Sequence, residues 1–382
     1  MRAPSANRRS TVAAAAVAMV MGAHAAGAQS PPSFARTVVS AVTKAFSSSE
    51  VRSPRFPPAA RGLVWSDRVA HSDPVAALRV YVTITGGGTG WTLVIRSEAT
   101  GLVADTVTPQ TPLDAAGGFW SSDVHGSVAE VSLNTKGDVS GLTVAISTYG
   151  YSVMSAQQQA IHGIDARLNI TEAGPRVQEL ARPVVRLRTM VPNLGESSCT
   201  GFLLNDRLVL TNEHCVTTDT EARATLVDLG YETGKKPVML RVEALLSDDA
   251  ALDYALLRLE RAAPAEWGRV TLDPASNIAV NQRLILIEHP LGGFKQVSLE
   301  SCEISDEKIA GATAAPTDFG HRCDTLVGSS GSPVMDDGSG AVIGLHHLGF
   351  DTAKKIYVNR AVPIGLVLTH IRSTLGWTTV PP

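Results

Sequence analysis

From residue 183 onward the sequence is cut into short apolar runs: "VVRLRT", "CTGFLLN", "RLVLTNEHC", "ATLVDLG", "YALLRLE", "RLILIEHP", "AVIGLHHLGF" and "KIYVNRAV". Each is rich in Val, Ile and Leu, and turn-forming residues separate them. Runs this short and this branched favour strands over helices. Only the end of the chain departs from the pattern. There Ile364 to Leu375 spaces Val367, Leu368 and Ile371 for one helix. Residues 183–382 are therefore expected to be all-β, in barrels, with a C-terminal helix.

A second strand-rich region lies at 71–152. "LRVYVTI" alternates, with Leu78, Val80, Val82 and Ile84 on one face. "GGGTG" interrupts, "WTLVIRS" resumes, and "GSVAEVSLNT" and "GLTVAISTYGY" repeat the two-residue period. This spacing predicts a small β-sandwich, an accessory or pro-domain. Trp91, Phe119 and Trp120 are read as its core. Residues 29–70 are rich in Pro, Ser and Arg and read as a flexible lead-in. Residues 153–182 form a polar connector carrying Arg167, Arg176 and Arg182. There is no internal repeat.

The N-terminus has the layout of an export signal. Arg2, Arg8 and Arg9 precede an apolar stretch, Val12 to Met21, and "AGAQS" offers cleavage after Ala28. The stretch is short for a membrane span, which needs about 20 apolar residues. Residues 1–28 are thus expected to be a signal peptide, and the mature protein secreted or periplasmic, without a membrane anchor. The formal net charge is −3 and no basic run is present. That argues against nucleic acid as a partner, because phosphate binding needs clustered Lys and Arg. Four cysteines, Cys199, Cys215, Cys302 and Cys323, suggest two disulfides in an exported chain. Three pairings are open. Their spacing suggests no zinc site, and no cofactor motif is apparent.

"CDTLVGSSGSPV", Cys323 to Val334, sets serines among glycines. A serine hydroxyl becomes a nucleophile only beside a base, and the base needs a carboxylate to fix its tautomer. The base candidate is His214, where the run "RLVLTNEHCV" ends in a polar turn. A Cys199–Cys215 bridge would close the hairpin beside it. The carboxylate candidate is Asp253, at the start of "LDYALLRLE".

In the order His, Asp, Ser, the motifs "LTNEHCV", "LDYALLRL" and "GSSGSPV" resemble the trypsin-like serine peptidases. The nearest likeness is to the exported bacterial branch with glutamyl and lysyl endopeptidases. "IEHPLGGFKQVS" and "VIGLHHLGF" resemble that branch too. The likeness covers about 183–378. It implies two six-stranded antiparallel β-barrels with the site between them. It implies His214 as general base, Asp253 as its orienter and Ser330 as nucleophile. The N–H groups of Gly328 and Ser330 would form the oxyanion hole. Ser329 stands where animal members carry an Asp that pairs with a newly cut N-terminus, so that activation route is not expected.

Two residues compete for specificity. Asp324, six residues before Ser330, matches the pocket-floor carboxylate that binds Lys or Arg. His346 matches a wall histidine that would favour an acidic side chain. Asp324 is the preferred reading, and Cys302 would tie its loop at Cys323. His347 alternates to the opposite face. His289 is read as structural, and His321 as close to the pocket. The expected activity is serine endopeptidase action on protein or peptide substrates. If it cuts after Lys or Arg, Arg167 or Arg176 would be self-processing sites. The alternatives are a glutamyl-specific endopeptidase and an inactive exported binding protein on the same scaffold. An α/β-hydrolase is disfavoured, because its Ser-acid-His order is absent.

Overall fold

Trp91–Ser97 alternates buried and half-buried side chains along its whole length, as a strand with one covered face must. It belongs to a four-stranded antiparallel sheet, in the order Gly62–Ala70, Val128–Thr135, Trp91–Ser97, Val103–Val107. A second sheet runs Val42–Arg52, Thr143–Met154, Ala77–Thr85, Gly118–Trp120, with Val124–His125 also paired to Ala77–Thr85. The two sheets share one apolar core that includes Val80, Val82, Leu93, Ile95, Val131, Leu133, Val144 and Ile146. Trp91 and Phe119 are buried in it. In this computed structural model the described residues are 42–57, 60–72, 77–114, 116–154, 159–162, 164–191, 195–313, 315–350 and 356–380. The expected signal peptide, 1–28, lies outside them.

The flexible lead-in expected over 29–70 needs correction from residue 42 onward, while 29–41 lies outside the described residues. Val42–Arg52 pairs along Thr143–Met154, and Gly62–Ala70 along Val128–Thr135. Phe56, Trp65 and Val69 are buried in the module's core. The Ser, Pro and Arg content that suggested disorder lies mostly on exposed positions around these anchors. Sparse apolar residues still make a strand when an existing sheet covers them.

Residues 184–259 form a closed six-stranded antiparallel barrel, in the order Val184–Val191, Gly195–Leu203, Leu208–Thr211, Tyr254–Leu259, Val238–Asp249, Thr225–Leu229. Closure removes the exposed edges that an open sheet would leave. The second β unit has eight strands. Six make a ring: Leu284–Glu288, Pro333–Asp336, Val342–Leu348, Asn359–Pro363, Asp318–His321 and Ile304–Ile309. A bridge between Arg283 and Glu303 joins the last of these to the first. Gln296–Ser298 extends the sheet outward, and Leu168–Asn169 from the connector adds the eighth strand. The C-terminal helix, Ile364–Leu375, buries Ile364, Val367, Leu368 and Ile371. They join a core shared with Tyr254 and Leu256 of the first barrel and Leu345 of the second.

Buried ion pairs hold the front module on the first barrel. Arg79, fully buried, donates to Glu196 at 3.1 Å, to the Ser121 carbonyl at 2.7 Å and to the Ala224 carbonyl at 3.2 Å. Arg188 bridges Asp123 of the module and Asp228 of the barrel. Arg241 reaches Asp105 and, at 2.7 Å, the Trp120 carbonyl. A buried charge is tolerated only when paired and hydrogen-bonded, so neither face is built to stand in water alone.

Candidate active site

The strand Leu208–Thr211 ends in a single turn, Glu213–Cys215, that presents His214 half-exposed. Its ring Nδ1 lies 2.8 Å from Asp253 Oδ2, and its main-chain N–H donates to Asp253 Oδ1 at 3.0 Å. One carboxylate thus fixes both ring and backbone of the same residue. Asp253 is itself held in the left-handed region, φ 47°, just ahead of Tyr254–Leu259. The Asn212 amide donates to its carbonyl at 2.7 Å. Burial alone would raise the Asp253 carboxyl. The charge and hydrogen bonds of His214 and His347 outweigh this and hold it well below the usual carboxylate range.

Ser330 sits on a tight turn, half-buried. Its carbonyl accepts the Thr200 N–H at 2.8 Å, and Thr200 Oγ1 donates to the Gly328 carbonyl at 2.9 Å. Thr200 follows Cys199, whose disulfide to Cys215 stands beside His214. Ser330 and His214 are therefore anchored to the same short stretch of the first barrel. The glycines are required by geometry. Gly331 has φ 87°, and a Cβ there would lie 2.0 Å from the Thr200 carbonyl oxygen. Gly328 has φ 95°, and a Cβ there would lie 2.7 Å from the His289 carbonyl oxygen. Among the described residues neither the Gly328 nor the Ser330 N–H is engaged by another group.

The residues expected to set specificity are placed differently. Asp324 is buried, and each of its oxygens accepts one connector amide. Oδ1 accepts the His162 N–H at 2.8 Å and Oδ2 the Ala166 N–H at 3.0 Å. Gln159–Ala160 of the connector also pairs with Thr325–Leu326. His346 is buried with its Nδ1 3.1 Å from His321 Nε2. Burial, with the nearby charge of His347, pushes the His346 ring down to about 3. Burial likewise holds His321 well below the usual range. Both rings are neutral near pH 7. The second disulfide, Cys302–Cys323, fastens the segment ahead of Asp324. Arg167 is buried against Glu288 rather than presented for cleavage, whereas Arg176 is half exposed.

Sequence reasoning missed three participants. His347 is buried with Nδ1 3.0 Å from Asp253 Oδ2 and Nε2 2.6 Å from Asp318 Oδ2. Strand alternation does send it opposite to His346, but that side faces the other barrel. Nothing in "TDFGH" marks Asp318 as its partner. Glu288 is the third. Burial pushes its carboxyl up to about 7 against the opposing pull of Arg167 and the adjacent Ser329 hydroxyl.

Cys199, Cys215 and His214 offer atoms within 4.8 Å of one another. Sulfurs already bonded to each other carry no thiolate for a metal. No helix among the described residues is long and apolar enough to cross a membrane.

The family of trypsin-like peptidase domains matches residues 199–345, which hold all three members of this constellation. Residues 199–345 are thus similar to a trypsin-like peptidase domain. Two curated relatives resemble it. Secreted RxLR effector protein 73 of Plasmopara viticola is 27% identical over 231 residues, covering 54% of this chain and 56% of the relative. Uncharacterized protein y4fB of Sinorhizobium fredii is 29% identical over 194 residues, covering 46% of this chain and 29% of the relative. The chain thus matches just over half the length of the first and under a third of the second. Among solved structures, the active form of the Rv3671c protease from M. tuberculosis aligns at a TM-score of 0.44 with 19% identity. That alignment covers 59% of this chain and 95% of the other.

Proposed function

We propose that the chain is an exported serine endopeptidase working through His214, Asp253 and Ser330. The observation that carries this reading is the double grip of Asp253 on the His214 ring and backbone, together with the tether of the Ser330 turn to Thr200. Ser330 Oγ attacks the substrate carbonyl carbon, and its proton passes to His214 Nε2. Asp253 keeps the Nδ1 proton in place and faces the imidazolium that forms. The developing oxyanion meets the N–H groups of Gly328 and Ser330. Collapse returns the proton to the leaving amine and leaves an acyl-enzyme, which water releases by the same path. Export is supported by two disulfides, by the likeness to a secreted effector, and by the layout of residues 1–28. Residues 42–154 are read as a permanently docked module rather than a removable pro-domain, because ion pairs largely shielded from solvent join it to the barrel. The connector is read as an integral part of the second barrel.

Labelling with a fluorophosphonate tests the triad. Wild type should react and Ser330→Ala should not. No reaction of either would favour a binding protein on a peptidase scaffold.

For specificity, one observation favours acidic over basic substrates. A pocket floor for Lys or Arg needs an accessible carboxylate, whereas Asp324 is buried and each of its oxygens accepts a connector amide. A His321 ring that donates to His346 Nδ1 leaves the His346 Nε2–H free to meet a substrate carboxylate. A peptide-library cleavage profile should show Glu or Asp before the cut bond. Cleavage after Lys or Arg would overturn this assignment.

A further inference from the structure

His347 is fully enclosed between two carboxylates, and the triad as described leaves it without a task. Its Nδ1 and Nε2 lie 3.0 and 2.6 Å from Asp253 Oδ2 and Asp318 Oδ2. An ionised carboxylate only accepts hydrogen bonds. Two such partners on opposite edges of one ring therefore require both nitrogens to donate, which makes the ring an imidazolium. Asp318 is steadied from its far side by Thr317 Oγ1, which donates to its other oxygen at 2.9 Å. The result is a continuous hydrogen-bonded chain: Asp318, His347, Asp253, His214.

We propose that His347 is a positioning residue of the catalytic centre, locking the Asp253 carboxylate toward His214 and stabilising its ionised form with a cation anchored by Asp318. This rests on the triad reading above. Asp253 Oδ2 serves two rings at once, so a rotation of its carboxylate away from His214 would break the bond to His347 as well. The charged and titratable groups around the pair are Asp253 and His214 from the first barrel, Asp318 and His321 from the next strand but one, and His346 on its own strand. Arg360, on the strand between them, acts on His346. Burial would lower the His347 ring, but its hydrogen bonds to Asp253 and Asp318 raise it to about 9. The cation therefore persists across neutral pH and is lost in mildly alkaline solution.

The test uses the intact protein. In wild type, kcat on a blocked peptide should fall as pH rises through about 9, with KM nearly constant. Asp318→Asn touches no triad residue but removes half of the charge that holds the His347 proton. It should move this alkaline limb down by about one unit or more, again at constant KM. A limb that stays where it is in Asp318→Asn overturns the proposal, because a purely structural role would lower activity at every pH alike. A second measurement does not depend on turnover. In Ser330→Ala, nitrogen NMR of the histidine rings should show His347 protonated on both nitrogens at pH 7.5, and a neutral ring there also overturns the proposal. Absent fluorophosphonate labelling of wild type would instead count against the triad and leave the protonation of His347 a separate result.

Discussion

The Arg167 guanidinium stands 3.3 Å from the Glu288 carboxylate, and neither side chain is more than 5% exposed. Arg167 also clasps Asp165 at 2.6 Å. The connector thus delivers a cation to a carboxyl that lies against Ser329, the residue before the nucleophile. Folding raises Glu288 from the usual 4.5 to about 7, so the folded protein binds this proton more tightly than the unfolded chain. Its contribution favours folding at low pH and is lost as pH rises between about 4.5 and 7. The shift corresponds to roughly 3 kcal/mol. Arg167→Ala should cost about 3 kcal/mol at pH 8 and far less at pH 5, where Glu288 is protonated. Glu288→Gln in that background should restore most of the loss. Urea unfolding at the two pH values measures all three.

A charge ladder links the front module to the turn beside the nucleophile. Asp123 meets Arg188, Arg188 meets Asp228, and Asp228 meets Arg186. Arg186 donates to the Gly292 carbonyl at 2.8 Å. The next contact is the neighbouring Leu291 N–H, which donates to the Val327 carbonyl, one residue before Gly328. Arg186→Met should therefore lower kcat about tenfold while KM changes little, as expected when an oxyanion donor is misplaced. Steady-state kinetics on one peptide substrate decides it, and an unchanged kcat would detach this ladder from catalysis.

Gly331→Ala places a methyl where the Thr200 carbonyl already stands, at a backbone angle that only glycine adopts freely. The turn must shift to admit it. Fluorophosphonate labelling should fall by at least 100-fold, while far-UV circular dichroism keeps its β signature. Labelling at the wild-type rate would mean that the turn is more yielding than its contacts imply.

Much of the site was readable because chemistry and chain position coincide in it. The turn "GSSGSP" advertises its glycines, and "LTNEHC" and "LDYALL" each put a polar residue at the mouth of an apolar strand. Order and residue type singled out His214 and Asp253 as candidates, and the family resemblance chose Ser330 among its neighbouring serines. Asp324 shows the limit of that method. Its distance from Ser330 in sequence placed it near the pocket, but the amides that occupy it come from 162 and 158 residues away. His347 is similar. Alternation gave its direction but could not say that the opposite barrel would present Asp253 there. Strands 42–52 and 62–70 were hidden because the strands they pair with arrive some 60 to 110 residues later.

The Cys199–Cys215 bond closes a loop with sequence separation 16 around His214. A loop of that size contributes about 3 kcal/mol in the chain-entropy model. A Cys199→Ala, Cys215→Ala double variant should lose about that much stability in urea unfolding. It should also lose labelling of Ser330 before global unfolding, because Thr200 next to the bond holds the nucleophile turn. Loss of both signals in one transition would show that the bond supports the whole barrel rather than the site.

Arg79 has a wider consequence. Its guanidinium belongs to the front module, but two of its acceptors, Glu196 and the Ala224 carbonyl, belong to the barrel. A gene rearrangement that separated these segments would strand charge in both halves. The pair is therefore expected to travel through evolution as one inherited block, and a search for close kin should find the peptidase together with its companion rather than either alone.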